Sequence, residues 1–528
     1  MGLSGVTPDS RGTAVLKNIT LLSGAALAAT VSGLVREATL AGVFGTTAYA
    51  DATATAIFLH DMIAAAFITG GFSFTVVPFV ARERAAGGDA VAVPLVTATV
   101  VWVACLGALA AVATLLALPP IVRFAVHSED RVRNAAMLVV LRGAVPALAL
   151  MTIASAIAGF LPAFGRFHQP SVGRLLWNAT ISAGLLAIPR IGADSGIALA
   201  LALGATANLL AVALALPGRN HQRLVLHHPG LRSFAALAAS SLVGIAAINA
   251  GLGIWERFLL ARIGVGSIAV VNYAQRASYT ASTVSTAVAV VAFTEMAHHA
   301  ETGRLKPAGG RLLREVTRRY LLVLVPVMCF MWAARRDIVN LLFARGAFDV
   351  MAQERTSAAF GVYAASVLPV FLLSLFTRAL YTLNRSRLAI AVLACGALIS
   401  AVLDGLLVPM LGELSIPAGY ATGTAAAAAL AVWATDRQTE PGVAVSVWSG
   451  LGLGAALAAP GLVLYEAVHH ILRGDLRCGP MLPCLGALAM GVVSFAAAAV
   501  IVGYALGMEE VRMVVRWIRD RSHAQSDG

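Results

Sequence analysis

Long apolar runs alternate with short polar connections along the whole chain. A transmembrane helix needs roughly 20 apolar residues to cross about 30 Å of hydrocarbon, and runs such as residues 95–118, 235–254 and 485–506 meet that length. The pattern predicts about fourteen spanning helices. The predicted spans lie near residues 18–43, 50–81, 91–122, 134–161, 170–189, 195–216, 233–261, 267–299, 314–343, 356–383, 388–411, 417–435, 443–469 and 481–507.

Composition agrees with this pattern. Hydrophobic residues make up 59% of the chain, charged residues make up 12%, and the mean hydropathy is +0.83. Soluble domains carry about 25% charged residues, so a soluble class is excluded. The net charge is +12, but the Lys and Arg residues stand singly or in short clusters between apolar runs, without interleaved aromatic residues. We therefore expect contact with membrane lipids and no nucleic-acid partner.

The distribution of basic residues predicts the orientation of the chain. With the N-terminus inside, the inner loops and both ends carry roughly twice as many Arg and Lys residues as the outer loops, including a dense group at residues 304–319. Both termini are therefore expected in the cytoplasm. The basic tail, residues 508–528, is either an amphipathic helix on the inner membrane surface or a solvated end.

A short pattern occurs twice. Residues 35–37 (Val-Arg-Glu) precede an apolar stretch, a glycine turn and residues 48–51 (Ala-Tyr-Ala-Asp); residues 255–257 (Trp-Glu-Arg) precede a similar stretch, a glycine turn and residues 272–276 (Asn-Tyr-Ala-Gln-Arg). The copies lie about six helices apart, which predicts two related six-helix bundles around a central cavity. The predicted parts are an N-terminal bundle at residues 1–216, a second bundle at 217–440, two additional helices at 441–507 and a cytoplasmic tail at 508–528.

Charged side chains within apolar runs are the candidate functional residues, because charge at that depth is costly. Arg36 and Arg276 are expected to face the cavity, where a guanidinium can hold a phosphate through paired hydrogen bonds. Asp61 is either a substrate or proton site, or one half of a buried pair with His60. We interpret Arg174 as an interfacial residue that extends towards the membrane surface.

Catalytic and metal-binding signatures are missing from the sequence. There is no Walker motif, nucleophile elbow or pair of catalytic carboxylates in a soluble segment, so we expect a transporter and not an enzyme. The five cysteines are scattered, and we expect no structural metal site. Cys478 and Cys484 flank a short loop, and their spacing leaves open whether they form a disulfide.

The order and spacing of several short segments point to a known family. They are Ser32-Gly33-Leu34-Val35-Arg36-Glu37, Phe44-Gly45, Ala50-Asp51-Ala52, Gly70-Gly71-Phe72-Ser73, Val77-Pro78, Gly266-Ser267, Asn272-Tyr273-Ala274-Gln275-Arg276, Leu342-Phe343-Ala344-Arg345-Gly346-Ala347-Phe348 and Arg378-Ala379-Leu380-Tyr381. Together they resemble the MurJ/MviN family, the lipid II flippases of the multidrug, oligosaccharidyl-lipid and polysaccharide exporter superfamily. The resemblance covers the first twelve predicted helices.

This resemblance implies a substrate and the residues that bind it. Family members move an undecaprenyl-pyrophosphate-linked saccharide from the inner to the outer leaflet of the bacterial inner membrane. By resemblance, Arg36, Asp51, Arg276 and Arg378 are expected to contact that substrate. Membrane lipids and proteins of cell-wall synthesis are the other expected partners.

The resemblance also implies a sodium site for a coupling ion, built from Glu256, Ser400, Asp404 and Thr424. Ser400 and Asp404 are one helical turn apart and share a face, and oxygen ligands suit a hard cation. No other cofactor is expected. The alternative is that Glu256 pairs with Arg257 or reaches the outer interface of the membrane, and that Asp404 hydrogen-bonds Ser400.

Several positions depart from the family pattern. Thr30, Ala64, Ala65, Thr69 and Gln275 stand where the family usually carries charged side chains. Besides lipid II flipping, the sequence therefore leaves open a flippase for another lipid-linked glycan, a cation-coupled exporter of small molecules, and a scaffold without transport that recruits wall-synthesis proteins. An exporter of organic cations needs an acidic or aromatic cavity, so the arginines favour a flippase.

Overall fold

The computed structural model describes residues 8–68, 71–126, 131–217, 231, 247–280, 305–383, 385–439 and 441–473, with positions 489, 491–493, 495–497, 500–501 and 503–504. Within these ranges the chain is helical and contains no β-strand, and nine helices are long and apolar enough to cross a membrane. Helices suit a bilayer because they satisfy their backbone N–H and C=O groups internally. The predicted class, an all-α polytopic membrane protein, is confirmed.

The chain divides into two compact units. The first contains Met1–Arg276 and the short segment Arg345–Asp349, and the second contains Ala277–Ala344 and Val350–Gly528. The first boundary therefore falls within a helix, after Arg276. The predicted division at residues 1–216, 217–440, 441–507 and 508–528 follows the helix count, and it stays a prediction.

In the first unit, α5 packs against α2, α4 and α7, and α6 packs against α1 and α7. An apolar cluster on α3, α4 and the end of α5 buries Val80, Leu95, Val96, Phe160 and, in the following 3-10 turn, Phe164. The helices are α1 (Pro8–Phe44), α2 (Ala48–Ile68), α3 (Gly71–Gly87), α4 (Asp89–Val126), α5 (Arg131–Phe160), the 3-10 turn Leu161–Phe164, α6 (Gln169–Ile191), α7 (Ala193–Ala213), α8 (Ala247–Ile263) and α9 (helical at 267–280).

In the second unit, α12 packs against α10 and α14, α13 packs against α14, and α10 packs against α15. The predicted additional helix at 443–469 is thus a packed element of this unit. The helices are α10 (Leu305–Ala333), α11 (Arg335–Phe343), α12 (Val350–Thr382), α13 (Ser386–Leu411), the 3-10 turn Gly412–Leu414, α14 (Ser415–Asp436) and α15 (Val443–Arg473).

Two predicted helices are each divided in the structure. The span predicted at 50–81 corresponds to α2 and α3, which lie on either side of residues 69–70, outside the described part of the chain. The span predicted at 314–343 is α10 and α11, which are separated at Ala334, with φ −83° and ψ 11°. The other predicted spans that lie within the described ranges correspond to single helices.

Some predictions fall outside the described residues. These include the span at 481–507 except for scattered positions, the tail at 508–528, the pair Cys478 and Cys484, and residues 281–304.

Three glycine turns in the first unit allow backbones to approach closely. Gly45, Gly266 and Gly346 all have positive φ, a conformation that costs most other residues about 1–2 kcal/mol. A Cβ atom on Gly266 would lie 2.3 Å from the carbonyl oxygen of Thr46, and one on Gly346 would lie 2.2 Å from that of Gly42. The segment Arg345–Asp349 is held in this position by a hydrogen bond of 2.8 Å from the Ala347 N–H to the Gly42 carbonyl.

We predict that Gly346→Ala destabilises the protein more than Gly165→Ala. Both glycines have positive φ, but nothing lies within 4 Å of a Cβ atom on Gly165. The control should cost about 1 kcal/mol from backbone strain, and Gly346→Ala should cost about 2–3 kcal/mol more because its methyl group would collide with a backbone carbonyl. Thermal unfolding in detergent measures both; equal midpoints for the two variants would contradict the close contact.

Candidate substrate-binding site

Arg36 lies at the centre of a buried polar network on α1. Its guanidinium is 1% exposed and donates hydrogen bonds to Glu37 Oε1 at 2.7 Å and to Asn178 Oδ1 at 2.9 Å. Asn178, on α6, in turn donates to the Ser32 hydroxyl at 3.0 Å and to the carbonyl oxygen of Ala29 at 3.2 Å. This network joins α6 to α1 and fixes the orientation of Arg36.

Asp61 on α2 connects this network to a second arginine. One carboxylate oxygen lies 3.5 Å from Arg36 Nη2, and the other lies 2.8 Å from Arg174 Nη2 on α6. The interpretation of Arg174 as an interfacial residue is therefore wrong, because its charge is neutralised inside the protein. The His60 ring contacts the carbonyl oxygen of Ala56 at 2.6 Å, whereas Asp61 pairs with Arg36 and Arg174. The alternative of a buried His60–Asp61 pair is therefore wrong.

Arg276 on α9 is the third arginine near this network. Its guanidinium lies against the backbone of Gly33, where a Cβ atom would be 1.7 Å from Nη2. Only glycine leaves room for this contact, one turn before Arg36 and Glu37. Asp61 is attracted by the charges of Arg174, Arg36 and Arg276. The structure thus brings the two predicted arginines into one region of the first unit.

Asp51 has a different environment from the one predicted. Its side chain is fully buried and accepts hydrogen bonds from the N–H groups of Gly266 at 2.7 Å and Ala269 at 2.9 Å, and from Arg133 at 3.3 Å. Such N–H groups at a helix N-terminus have no partner within their own helix. Asp51 therefore holds the start of α9 against α2. Its predicted contact with substrate stays a prediction.

The second copy of the repeated pattern also forms an ion pair of neighbouring residues. Arg257 Nη1 lies 3.8 Å from Glu256 Oε2, and the Arg257 guanidinium stacks on the ring of Phe58 at 3.7 Å from the ring centre. Both charged side chains are buried. Glu256 therefore makes the pair with Arg257 that the sequence analysis gave as the alternative to an ion site.

The other three residues predicted for the ion site belong to the second unit, whereas Glu256 belongs to the first. Ser400 and Asp404 are buried on α13, and Thr424 is buried on α14. A Cβ atom on Gly419 would lie 2.0 Å from Asp404 Oδ1, and one on Gly423 would lie 2.1 Å from Ser400 Oγ. Two glycines of α14 thus form a cradle around the carboxylate and hydroxyl of α13.

Arg378 and the positions that depart from the family pattern are placed as follows. Arg378 is half-buried on α12 and belongs to the second unit, whereas Arg36 belongs to the first. Thr30 bonds to the carbonyl oxygen of Ala26, Ala64 is buried, and Gln275 is half-buried. Thr69 and the structure around it lie outside the described residues.

Sequence reasoning missed Arg174 and Asn178 as members of the site. They are four residues apart on α6, so both lie on one helix face, and this spacing of two polar residues in an apolar run was the available signal. Across the part of the chain that the structure describes, no three His, Cys, Asp or Glu residues are grouped so that they could hold a metal ion.

The fold is that of a multi-pass membrane transporter. It matches the solved structure of lipid II flippase MurJ in an inward closed conformation with a TM-score of 0.78 and 14% identity, over 92% of this chain and 99% of that one. It also matches an inward-facing MATE multidrug transporter of the MOP superfamily, with a TM-score of 0.63 and 13% identity over 79% and 95% of the two chains. At these identities the likeness defines the fold.

Sequence comparison defines the family. The model of the family described as lipid II flippase MurJ matches residues 40–472. A probable lipid II flippase MurJ from Rhizobium tropici is 23% identical over 97% of this chain and 98% of its own length. Lipid II flippase MurJ from Burkholderia cenocepacia is 22% identical over 90% and 94%. The chain belongs to the lipid II flippase MurJ family, which confirms the resemblance.

We predict that Arg36→Met destabilises the protein by about 3–5 kcal/mol, because it leaves Glu37 without its closest cation and Asp61 with fewer charges around it. Adding Glu37→Gln should recover part of this loss, because the uncompensated carboxylate is removed. Arg190→Met is the control: Arg190 is exposed in the last turn of α6, so the expected change is within about 0.5 kcal/mol. Unfolding in mixed micelles gives these values, and an Arg36→Met variant as stable as the control would contradict the network.

Proposed function

We propose that this protein moves lipid II, the undecaprenyl-pyrophosphate-linked peptidoglycan precursor, from the inner to the outer leaflet of the bacterial inner membrane. Membership of the MurJ family and the transporter fold support this proposal. The two halves of the protein would expose the substrate site to each leaflet in turn by alternating access. No covalent chemistry is involved, so the protein acts as a transporter and not as an enzyme.

The observation that carries the proposal is the charge of the site. Three guanidinium groups, those of Arg36, Arg174 and Arg276, accompany the carboxylates of Glu37 and Asp61 in the part of the site that the structure describes. The site therefore has one net positive charge within membrane-spanning helices, where charge needs a counter-ion. A pyrophosphate supplies the complementary negative charge, and guanidinium groups bind it through paired hydrogen bonds.

The same charge argues against export of organic cations, although MATE multidrug transporters share the fold. A cationic drug would be repelled by the net positive charge of the site, whereas an anionic lipid diphosphate is attracted by it. We further propose that both termini lie in the cytoplasm, in agreement with the distribution of Arg and Lys residues, and that proteins of cell-wall synthesis are its partners.

We predict that Arg276→Ala reduces flipping about 10- to 100-fold, because a charged hydrogen bond to the pyrophosphate is worth about 1.5–3 kcal/mol. The exposed Arg190 again provides the control, and Arg190→Ala should flip at the wild-type rate. The measurement is growth of cells depleted of their own lipid II flippase, together with lipid II exposure on the outer leaflet at matched protein levels. Failure of the wild type to restore growth would contradict lipid II as the substrate, and wild-type flipping by Arg276→Ala would contradict the site.

We also propose that Na⁺ is the coupling ion and that Ser400, Asp404 and Thr424 supply oxygen ligands to it within the second unit, while Glu256 stays paired with Arg257. The burial of these three side chains supports this, because it places one carboxylate and two hydroxyl groups inside the second unit, and oxygen donors suit a hard cation. When bound, the ion would neutralise the Asp404 carboxylate in an apolar setting and would favour the conformation in which its ligands are closest.

We predict that Na⁺ raises the melting temperature of the purified protein and that Asp404→Asn abolishes this increase. The carboxylate provides the charge that a buried cation requires, and asparagine does not. Choline chloride at equal ionic strength controls for salt, and Asp436→Asn controls for loss of a carboxylate that instead accepts hydrogen bonds from the backbone N–H groups of Gly442 and Val443. An unchanged melting temperature of the wild type across Na⁺ concentrations would contradict the ion site, while leaving the arginine site untouched.

A further inference from the structure

Arg36 and Arg174 differ in their access to a ligand. Arg36 is 1% exposed and is held by Glu37 and Asn178, whereas Arg174 and Asp61 are each 23% exposed. A ligand entering the site therefore meets Arg174 before it meets Arg36. Among the described residues, Arg174 makes its ion pair with Asp61. An anionic ligand that binds Arg174 must therefore compete with the Asp61 carboxylate for the charge of this arginine.

Asp61 has the geometry of an internal substitute for an anionic ligand. Its two carboxylate oxygens are directed to two different arginines, at 2.8 Å from Arg174 and 3.5 Å from Arg36. A phosphate group offers the same arrangement, with separate oxygens for separate guanidinium groups. The longer distance belongs to Arg36, which keeps Glu37 at 2.7 Å if Asp61 departs. Arg174 is the residue whose charge would be released.

We propose that Asp61 is an exchangeable counter-ion, which neutralises Arg174 in the empty site and is displaced when the diphosphate of the substrate binds. This proposal rests on the proposed flippase function and extends it. Arg174 becomes a direct ligand of the diphosphate, with Arg276, and Asp61 becomes the residue that sets how strongly the site holds its cargo.

The physical reason is that a flippase needs both binding and release. A site with three uncompensated arginines would bind a diphosphate strongly and release it slowly, whereas a carboxylate that competes for Arg174 lowers the affinity. The empty site also avoids a partly buried guanidinium without a counter-ion, which is unfavourable between apolar helices. Asp61 thus serves the empty state, and the substrate replaces it in the loaded state.

The test measures binding of two diphosphates to the purified full-length protein, inorganic pyrophosphate and farnesyl diphosphate, a soluble prenyl diphosphate. Neutral replacement by Asp61→Asn should tighten binding of both about tenfold, and Arg174→Gln should weaken it about tenfold. In the double variant, Asp61→Asn should have little effect, because Arg174, the residue for which Asp61 and the diphosphate compete, has been replaced. Tighter binding of farnesyl diphosphate than of pyrophosphate in the wild type would identify the lipid-linked form as the source of the diphosphate.

Controls separate this exchange from a merely structural ion pair. A structural pair would weaken binding when either partner is removed, so the opposite signs of the two variants are the decisive result. Asp61→Ser provides a second neutral variant if Asp61→Asn does not fold, Asp61→Glu should bind like the wild type, and Arg190→Gln should leave binding unchanged.

Two outcomes would overturn the proposal: unchanged or weaker diphosphate binding by both neutral Asp61 variants, or wild-type binding by Arg174→Gln. If this happens while the wild type still restores growth of flippase-depleted cells, the counter-ion role alone fails. If the wild type neither restores growth nor binds either diphosphate, the proposed function fails with it.

Discussion

The structure depends on one constraint: an ionised group between apolar helices needs its counter-charge inside the protein. Arg36 could not occupy a fully buried position without the Glu37 carboxylate at 2.7 Å and the Asn178 amide at 2.9 Å. These partners come from α1 and α6, and Asp61 adds α2. Polar contacts therefore specify the packing of these three helices as much as apolar contacts do. In a bilayer, polar contacts discriminate well between alternative helix pairings, because apolar helix surfaces pack equally well against lipid.

A second polar contact decides where the third arginine lies. Asp51 binds the N-terminal N–H groups of α9, and α9 carries Arg276 two to three turns later. Because a helix is rigid over that length, fixing the start of α9 also fixes where Arg276 lies along the length of α1. Asn272, one turn before Arg276, donates a hydrogen bond of 2.8 Å to Glu37. The glycine at position 33 then leaves the space that the guanidinium occupies.

The class, the spans and the arginines 36 and 276 could be predicted from the sequence, because apolar length and depth of charge are local properties of a segment. The role of Arg174 could not, since its spacing from Asn178 indicates a polar helix face but does not identify its partner Asp61, which is more than 100 residues away. The environment of Asp51 could not be predicted from the sequence either. Its partners are backbone N–H groups, which every residue except proline possesses, so no sequence pattern identifies them.

The segment Arg345–Asp349 has a consequence for how the protein is made. It belongs by its contacts to the first unit, yet it is synthesised after all of α10 and α11. Until it leaves the ribosome, the carbonyl of Gly42 lacks the Ala347 N–H, and the ring of Tyr273 lacks Phe348 as its edge-to-face neighbour. The first unit therefore cannot complete its folding during its own insertion into the membrane. It stays open to rearrangement until about two thirds of the chain has been translated, which places the last folding step of the N-terminal helices late in biogenesis.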